Sequence, residues 1–256
     1  MSHARALVAF CLALHPWVAQ GQFVIVEGAC GELDTELQDL APALFDTQAE
    51  VEECDLVRDA LSEGGQRMLD APGAGGSSIY SEVFAYEIAR QCDQAALIKT
   101  ETEIVYEAPG PITDALIEID GTRLGLSVKR AVRFPFDQPL GVDDAVELLE
   151  EALEDILVSS ENVSADDAWA KQILLVPTPF DASLASLQTA YEQIDVALRA
   201  DTIVWFVRTR GEDDFLYDGD DPTCTVPVPS APPWALIALA LSLGAALAVR
   251  RLEAIE

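Results

Sequence analysis

Asp114 and Lys129 lie on the two arms of one predicted hairpin, residues 112–132. They are the pair of residues in the chain best suited to catalysis or metal binding. Asp120-Gly121 favours a two-residue turn, because both central residues of that turn need a positive φ. If the turn lies there, Asp114 faces Ser127, and Lys129 is the diagonal neighbour of Asp114 at about 7–8 Å between Cα atoms. A carboxylate and an ammonium at this spacing form either a structural ion pair or part of a metal and phosphate site.

The flanks of this turn alternate between apolar and other residues, which is typical of two half-buried strands. The apolar positions are Ala115, Ile117 and Ile119 on one arm and Leu124, Leu126 and Val128 on the other. The proposed register depends on the turn assignment, because a slip of one residue would move every side chain to the opposite face.

The elements around the hairpin alternate between helix and strand. Hydrophobic periodicity predicts a helix at 79–91, a strand at 96–106, a helix at 141–158, a strand at 172–176, a helix at 184–198 and a strand at 202–208. With the hairpin, the order is α-β-β-β-α-β-α-β. We therefore expect an α/β (α+β) domain with a mixed sheet flanked by helices.

The composition restricts both partners and chemistry. The chain has 256 residues and a formal net charge of −30. This charge opposes binding to nucleic acid and other polyanions, while a protein partner remains possible. The two histidines, His3 and His15, precede the predicted domain. Histidine bases, catalytic triads and histidine metal sites are therefore excluded from it, and any catalysis must use carboxylates, lysine, tyrosine, hydroxyls or oxygen-bound metal.

The two ends of the chain predict export or membrane anchoring. Residues 1–21 have the pattern of a signal peptide, with a buried N-terminal element as the alternative. Residues 234–249 are uncharged and precede two arginines, which is typical of a short transmembrane helix or a sorting helix, with core packing as the alternative. The remaining divisions are an acidic helical leader and linker at 22–75, the main domain at 76–217, a Pro/Asp-rich linker at 218–233 and a short tail at 250–256.

Four cysteines follow the predicted signal peptide. They are Cys30, Cys54, Cys92 and Cys224. In an oxidising compartment they allow two disulfides with three possible connectivities, and in a reducing compartment they are ordinary small residues.

The order of elements resembles the PD-(D/E)xK (restriction-endonuclease-like) nuclease superfamily, with an acid opening the second strand and a lysine on the third. The stretches YSEVFAYEI, KTETEI, TDALIEIDGTRLGLSVKRA and KQILLV are also similar to a group of proteins from microbial eukaryotes. The resemblance implies that Asp114 and a first-helix Glu82 bind Mg²⁺. It also implies that Lys129 positions or activates water.

Two residues depart from the motif of that superfamily. Ser127 stands where the motif has an acid, and Thr113 stands where it has a proline. A serine hydroxyl is a poor ligand for Mg²⁺, which prefers carboxylate oxygens. Glu103 on the preceding strand is our candidate for the missing acid, with Glu101 on the same face by strand parity.

Three functions remain open from the sequence. The first is a Mg²⁺-dependent phosphodiesterase or nuclease. The second is a non-catalytic, membrane-anchored binding or interaction domain on the same fold, in which Asp114 and Lys129 form a structural pair. The third is an acidic surface protein that binds cations or a protein partner.

Overall fold

A computed structural model of the protein describes residues 24–73, 78–222 and 224, which belong to one compact unit that ends at Cys224. Its strands are β1 (Val24–Gly28), β2 (Ala43–Val51), β3 (Ala96–Thr100), β4 (Ala115–Ile119), β5 (Thr122–Val128), β6 (Lys171–Thr178) and β7 (Ile203–Gly211). Its α-helices are α1 (Glu63–Asp70), α2 (Ile79–Asp93), α3 (Val142–Asn162), α4 (Asp181–Gln193), α5 (Val196–Arg199) and α6 (Phe215–Asp218). Short 3₁₀ turns lie at Thr35–Leu37, Glu53–Leu56, Arg58–Ala60 and Glu101–Glu103.

The strands form one mixed seven-stranded sheet in the order β1-β2-β7-β6-β5-β4-β3. The four central strands β2, β7, β6 and β5 run parallel to one another. The strands outside them, β1 on one side and β4 and β3 on the other, pair antiparallel with their neighbours. The predicted order of helices and strands after residue 78 and the mixed sheet are confirmed.

Helices cover both faces of this sheet. Successive residues of β6 alternate between the two faces, so Leu175 packs in the core with α1, α2 and α6, while Leu174 packs in the core with α3 and α4. Trp205 and Phe206 on β7 divide in the same way. Strands buried on both faces are expected for the parallel part of a sheet between helical layers.

The β4–β5 hairpin has the predicted register. Asp120 and Gly121 both have positive φ, at 47° and 76°. Ile119 pairs with Thr122, and Ala115 pairs with Leu126. The turn therefore sets which residues oppose one another at the far end of the hairpin, where Asp114 and Ser127 lie.

The prediction of a separate acidic helical leader at 22–75 is wrong. Strand β2 lies within that range and pairs in parallel with β7 along its whole length. The polar residues of β2 are compatible with a sheet interior because they find partners: Asp46 accepts a hydrogen bond from Gln188 at 3.0 Å, and the Thr47 hydroxyl accepts one from the Trp205 indole at 2.7 Å. The predicted helix 184–198 is also interrupted, since α4 ends at Gln193 and α5 begins at Val196.

Two disulfides join distant parts of the chain. Cys30 is bonded to Cys92, and Cys54 is bonded to Cys224. The second bond ties part of the predicted linker 218–233 to the domain, as does the hydrogen bond from the Tyr80 hydroxyl to Asp221 at 2.8 Å. The predicted signal peptide and the predicted apolar helix 234–249 lie outside the described residues.

None of the helices in the described ranges has the length and apolar character needed to cross a membrane.

The disulfide between Cys30 and Cys92 should contribute measurably to stability, because it closes a loop with a sequence separation of 62 residues. We expect the double variant Cys30→Ala/Cys92→Ala to lose about 2–4 kcal/mol of unfolding free energy, since an open loop has more conformational entropy in the unfolded chain. Urea unfolding followed by circular dichroism measures this loss. An unchanged midpoint and slope would contradict the assigned pairing.

Candidate metal centre

Three carboxylates from separate elements meet near one end of the sheet. Glu82 lies in the first turn of α2, Glu101 directly follows β3, and Asp114 directly precedes β4. One oxygen from each lies within 4.8 Å of one oxygen from each of the others. Glu82 is buried, and the other two are partly buried. Three oxygen ligands at this spacing suit a hard divalent cation such as Mg²⁺, Mn²⁺ or Ca²⁺.

The end of β3 decides which glutamate joins this cluster. The prediction of a continuous strand over 96–106 is wrong, because β3 ends at Thr100 and a 3₁₀ turn follows. Thr100 and Glu103 form a reciprocal capping box, in which the Glu103 carboxylate accepts the Thr100 N–H at 2.9 Å. Glu103 also accepts a hydrogen bond from Arg67. Glu103 is thus held away from the carboxylate cluster, and Glu101 takes the place proposed for it.

The sequence carried a signal for this difference. The stretch Thr-Glu-Thr-Glu at 100–103 matches the S/T-x-x-E pattern, which places the last glutamate against the backbone of the first residue. A strand has a period of two, so strand parity put both glutamates on one face. A 3₁₀ turn has three residues per turn, so residues two apart in it point in different directions.

The environment of the cluster disfavours its negative charge. Desolvation by burial raises the pKa of Asp114 well above its usual value, the nearby charges of Glu82 and Glu101 raise it further, and Lys129 and the Val128 N–H act against them. Desolvation also raises the pKa of Glu82, as does the charge of Glu101, while a hydrogen bond with Ser78 and the charge of Arg130 lower it. Burial and the neighbouring carboxylates thus make a negative charge on Glu82 or Asp114 costly, and the charges of Lys129 and Arg130 offset only part of this cost.

Lys129 forms its ion pair with an acid other than Asp114, although the two residues line a common cavity. Its ammonium donates to Glu151 on α3 at 3.0 Å, and one third of its side chain is exposed. Lys129, Asp114 and Ser127 line a common cavity of about 150 Å³ between the strand ends and α3. Lys129 can therefore reach a ligand at Asp114 while Glu151 holds it from the other side.

Ser127 belongs to a buried polar network centred on Gln172 of β6. The Ser127 hydroxyl donates to Gln172 Oε1 at 3.0 Å. Gln172 Nε2 donates to Ser159 and Ser160 on α3 at 2.8 and 2.9 Å. A carboxylate at position 127 would face the amide oxygen instead of donating to it, so this network requires a donor there.

Thr113, the second departure from the superfamily motif, serves the same network. Its hydroxyl lies 3.2 Å from Ser159 Oγ and 3.3 Å from Gln172 Oε1, and its backbone N–H donates to the Tyr106 hydroxyl at 2.7 Å. A proline has no N–H and could not make the last bond. Gly125 leaves room for the network, because a Cβ there would lie 2.8 Å from Gln172 Cγ.

The structure thus brings Glu82, Asp114, Ser127 and Lys129 to one region and adds Glu101, while Glu103 lies apart. Asp114 is fixed in place by the Val128 N–H, which donates to its Oδ2 at 2.7 Å. The assignment of these residues as metal ligands and catalytic groups stays a prediction. Gln172 was not anticipated, since nothing in its local sequence indicates that its side chain crosses a neighbouring strand.

No family model matches the chain. A Dictyostelium discoideum protein described as "AAC-rich mRNA clone AAC4 protein" is 37% identical over 163 residues, which cover 61% of this chain and 24% of that protein. The chain therefore spans about a quarter of the relative it matches. Among solved structures, SfsA of Pyrococcus furiosus in complex with Ca²⁺ matches with a TM-score of 0.30 and 12% identity, over 55% of this chain and 70% of that one. A match this distant assigns neither a fold nor a function.

The pKa shifts predict opposite effects for two neighbouring acids. Because the pKa of Asp114 is higher in the folded chain than in the unfolded chain, the folded state binds more protons between those two values, and stability falls as the pH rises through that window. In EDTA, Asp114→Asn should therefore melt at a higher temperature than the wild type at about pH 7.5. The difference should shrink as the pH approaches about 4, where unfolded carboxyls become protonated.

Glu103→Gln is the matched control for this measurement. Its backbone bond to Thr100 is the main reason that the pKa of Glu103 is lowered, so its charged form stabilises the fold above the usual carboxyl range and loses that effect as the pH falls. We expect Glu103→Gln to melt at a lower temperature at about pH 7.5. A melting temperature for Asp114→Asn below that of the wild type in EDTA at about pH 7.5 would contradict the claim that the negative charge of Asp114 destabilises the fold.

Proposed function

We propose that the domain is a divalent-cation-dependent phosphodiesterase of the nuclease type, with Glu82, Glu101 and Asp114 as the cation ligands. The observation that carries this proposal is the meeting of these carboxylates at a strand end, where Asp114 also lines a cavity with Lys129. Acids that come from three separate elements do not meet by local sequence alone.

The donor set fits Mg²⁺ or Mn²⁺. All three groups offer carboxylate oxygens, which these cations prefer, and three protein ligands leave positions for water and a phosphate oxygen. The raised pKa values of Glu82 and Asp114 support the same conclusion, because burial and, after it, the charges of neighbouring acids raise them, and a bound cation would offset both effects. Ser127 is not needed as a ligand, since its hydroxyl is bonded to Gln172.

A bound cation of this kind polarises a phosphodiester and lowers the pKa of its bound water. The chain supplies the remaining parts. Lys129 would place its ammonium against the phosphate oxygens and stabilise the negative charge that develops there. Glu151 would hold that ammonium in position, and the Val128 N–H would keep Asp114 directed at the cation.

One observation favours the alternative, a non-catalytic binding domain on the same fold. The Lys129 ammonium is bound to Glu151, and the acid of the superfamily motif is replaced by a network residue. In that case the three acids would bind a cation structurally. Membrane anchoring through 234–249 and a protein partner remain proposals, while the two disulfides support a location in an oxidising compartment.

Cleavage assays with the purified full chain test the proposal. We expect Mg²⁺- or Mn²⁺-dependent cleavage of DNA or RNA that falls about 100-fold or more in Glu101→Gln and in Lys129→Met. The first variant removes a ligand of the cation, and the second removes the ammonium that stabilises charge at the phosphate. Labelled single- and double-stranded substrates measure this directly. Glu118→Gln, an exposed acid of β4 at the opposite end of that strand from Asp114, should retain cleavage.

Two results would contradict the phosphodiesterase. One is equal cleavage by the wild type and Glu101→Gln, which would indicate a contaminating enzyme. The other is a folded wild type that binds Mn²⁺, as followed by calorimetry, but cleaves none of the substrates. That second result would leave the cation-binding domain as the function.

A further inference from the structure

The carboxylate cluster adjoins a much larger cavity of about 600 Å³. Ala71, Pro72 and Thr100 line both this cavity and the small pocket that contains Glu82, Glu101 and Asp114. The 3₁₀ turn after β3 separates the two, because it directs Glu101 to the cluster and Thr102 and Glu103 to the cavity. Because the two share three lining residues, a nucleotide chain held in the cavity would lie next to the cluster.

The cavity presents two arginines. Arg58 is paired with Asp70 through two of its nitrogens, at 2.6 to 3.1 Å, and Arg67 is paired with Glu103. About half of each of these four side chains is exposed. Exposed ion pairs contribute little net stability, so a phosphate can compete for them. An arginine also has five N–H donors, and it can hold a carboxylate and a phosphate with different edges.

The size and lining of the cavity limit what it can hold. Its volume lies within the range of about 300–1,000 Å³ that is typical of small-molecule pockets. This is room for one or two nucleotides with their phosphates, and too little for a duplex. No aromatic side chain lines it among the described residues, so base stacking, which is sequence-tolerant but strong, is not provided there.

The charges elsewhere also oppose a long polyanion. Lys99 is paired with the buried Asp167, and the buried Lys171 donates to three backbone carbonyl oxygens, so neither ammonium is available to a phosphate. The net charge of the chain is −30. A duplex binder normally presents a basic stripe that follows many phosphates, whereas this cavity offers two guanidinium groups.

From the cavity, its two arginines and its position next to the carboxylate cluster, we infer that the substrate is single-stranded nucleic acid. Arg58 and Arg67 bind one or two of its phosphates beside the reacting phosphate. This inference rests on the proposed function for the reaction, but the binding of phosphates by the two arginines can be measured without cleavage. Arg58 and Arg67 are then residues that determine which form of nucleic acid binds.

Fluorescence anisotropy measures this binding of single-stranded nucleic acid without cleavage. A labelled single-stranded dodecamer and the corresponding duplex are titrated with the full chain in EDTA at several salt concentrations. We expect the single strand to bind more tightly than the duplex, with a slope of log K against log salt of about −1.4, as two phosphate contacts give. Arg67→Gln should weaken binding of the single strand about tenfold and reduce the salt slope by about half.

Arg123→Gln is the matched control, because Arg123 is an exposed arginine at the β4–β5 turn, at the opposite end of β5 from Lys129. It should bind like the wild type. Arg67→Lys keeps the charge but loses the planar fork, so it should lie between the wild type and Arg67→Gln. Circular dichroism melts identify any variant that fails to fold, and Arg58→Gln then provides an independent second test with the same expected weakening.

The outcomes separate this inference from the proposed function. If the single strand binds tightly and both arginine variants weaken that binding, the result supports phosphate binding by Arg58 and Arg67, even if no cleavage is found. If the wild type cleaves and the variants Arg58→Gln and Arg67→Gln bind the single strand as tightly as the wild type does, the proposed phosphodiesterase stands and the inference about the arginines is overturned. Tighter binding of the duplex, or no binding of the single strand, would also overturn it.

Discussion

The burial of three neighbouring acids at one end of the sheet is the constraint on which the rest of this region depends. Single oxygens of Glu82, Glu101 and Asp114 lie within 4.8 Å of one another. Burial, and after it the charges of neighbouring acids, raises the pKa of Glu82 and of Asp114. The fold tolerates the arrangement because Glu82 lies in the first turn of α2, where the helix dipole favours an acid, and because the Val128 N–H bonds to Asp114. These contacts offset only part of the cost of the negative charge, and the proposed cation would offset more of it.

The network around Gln172 accounts for the two departures from the nuclease motif together. Ser127 and Thr113 flank the position of Asp114 on the two strands, and both contact the same amide oxygen. Gln172 in turn binds α3, which also carries the partner of Lys129. The network thus couples the strand ends that hold Asp114 to the helix that holds Lys129. Under the proposed function, Glu101 would supply the carboxylate that Ser127 does not.

The local parts of the fold could be predicted from the sequence, because their signals are local. Asp120-Gly121 determined the hairpin register, and the apolar periodicity of α3 determined its position. Strand β2 was missed because its polar residues are satisfied by Gln188 and Trp205, which are more than 140 residues away in the chain. The disulfide pairing depends equally on tertiary structure, since the four cysteines allow three connectivities and only the fold brings two pairs together.

The candidate site was predictable in part for the same reason. Asp114, Ser127 and Lys129 follow from one hairpin, whereas Glu82 was named because the resemblance implies a glutamate on the first helix. The choice between Glu101 and Glu103 required the capping box at Thr100, which strand periodicity conceals. The role of Gln172 required the packing of β6 against β5, where Gly125 leaves space for its side chain.

A crystal of the full chain soaked in Mn²⁺ tests the central claim most directly, through the anomalous scattering of the metal. The account predicts one strong anomalous peak between Glu82, Glu101 and Asp114, within about 2.0–2.3 Å of an oxygen from each, and its loss in crystals of Asp114→Asn. Full occupancy at another set of acids with nothing between these three would contradict it.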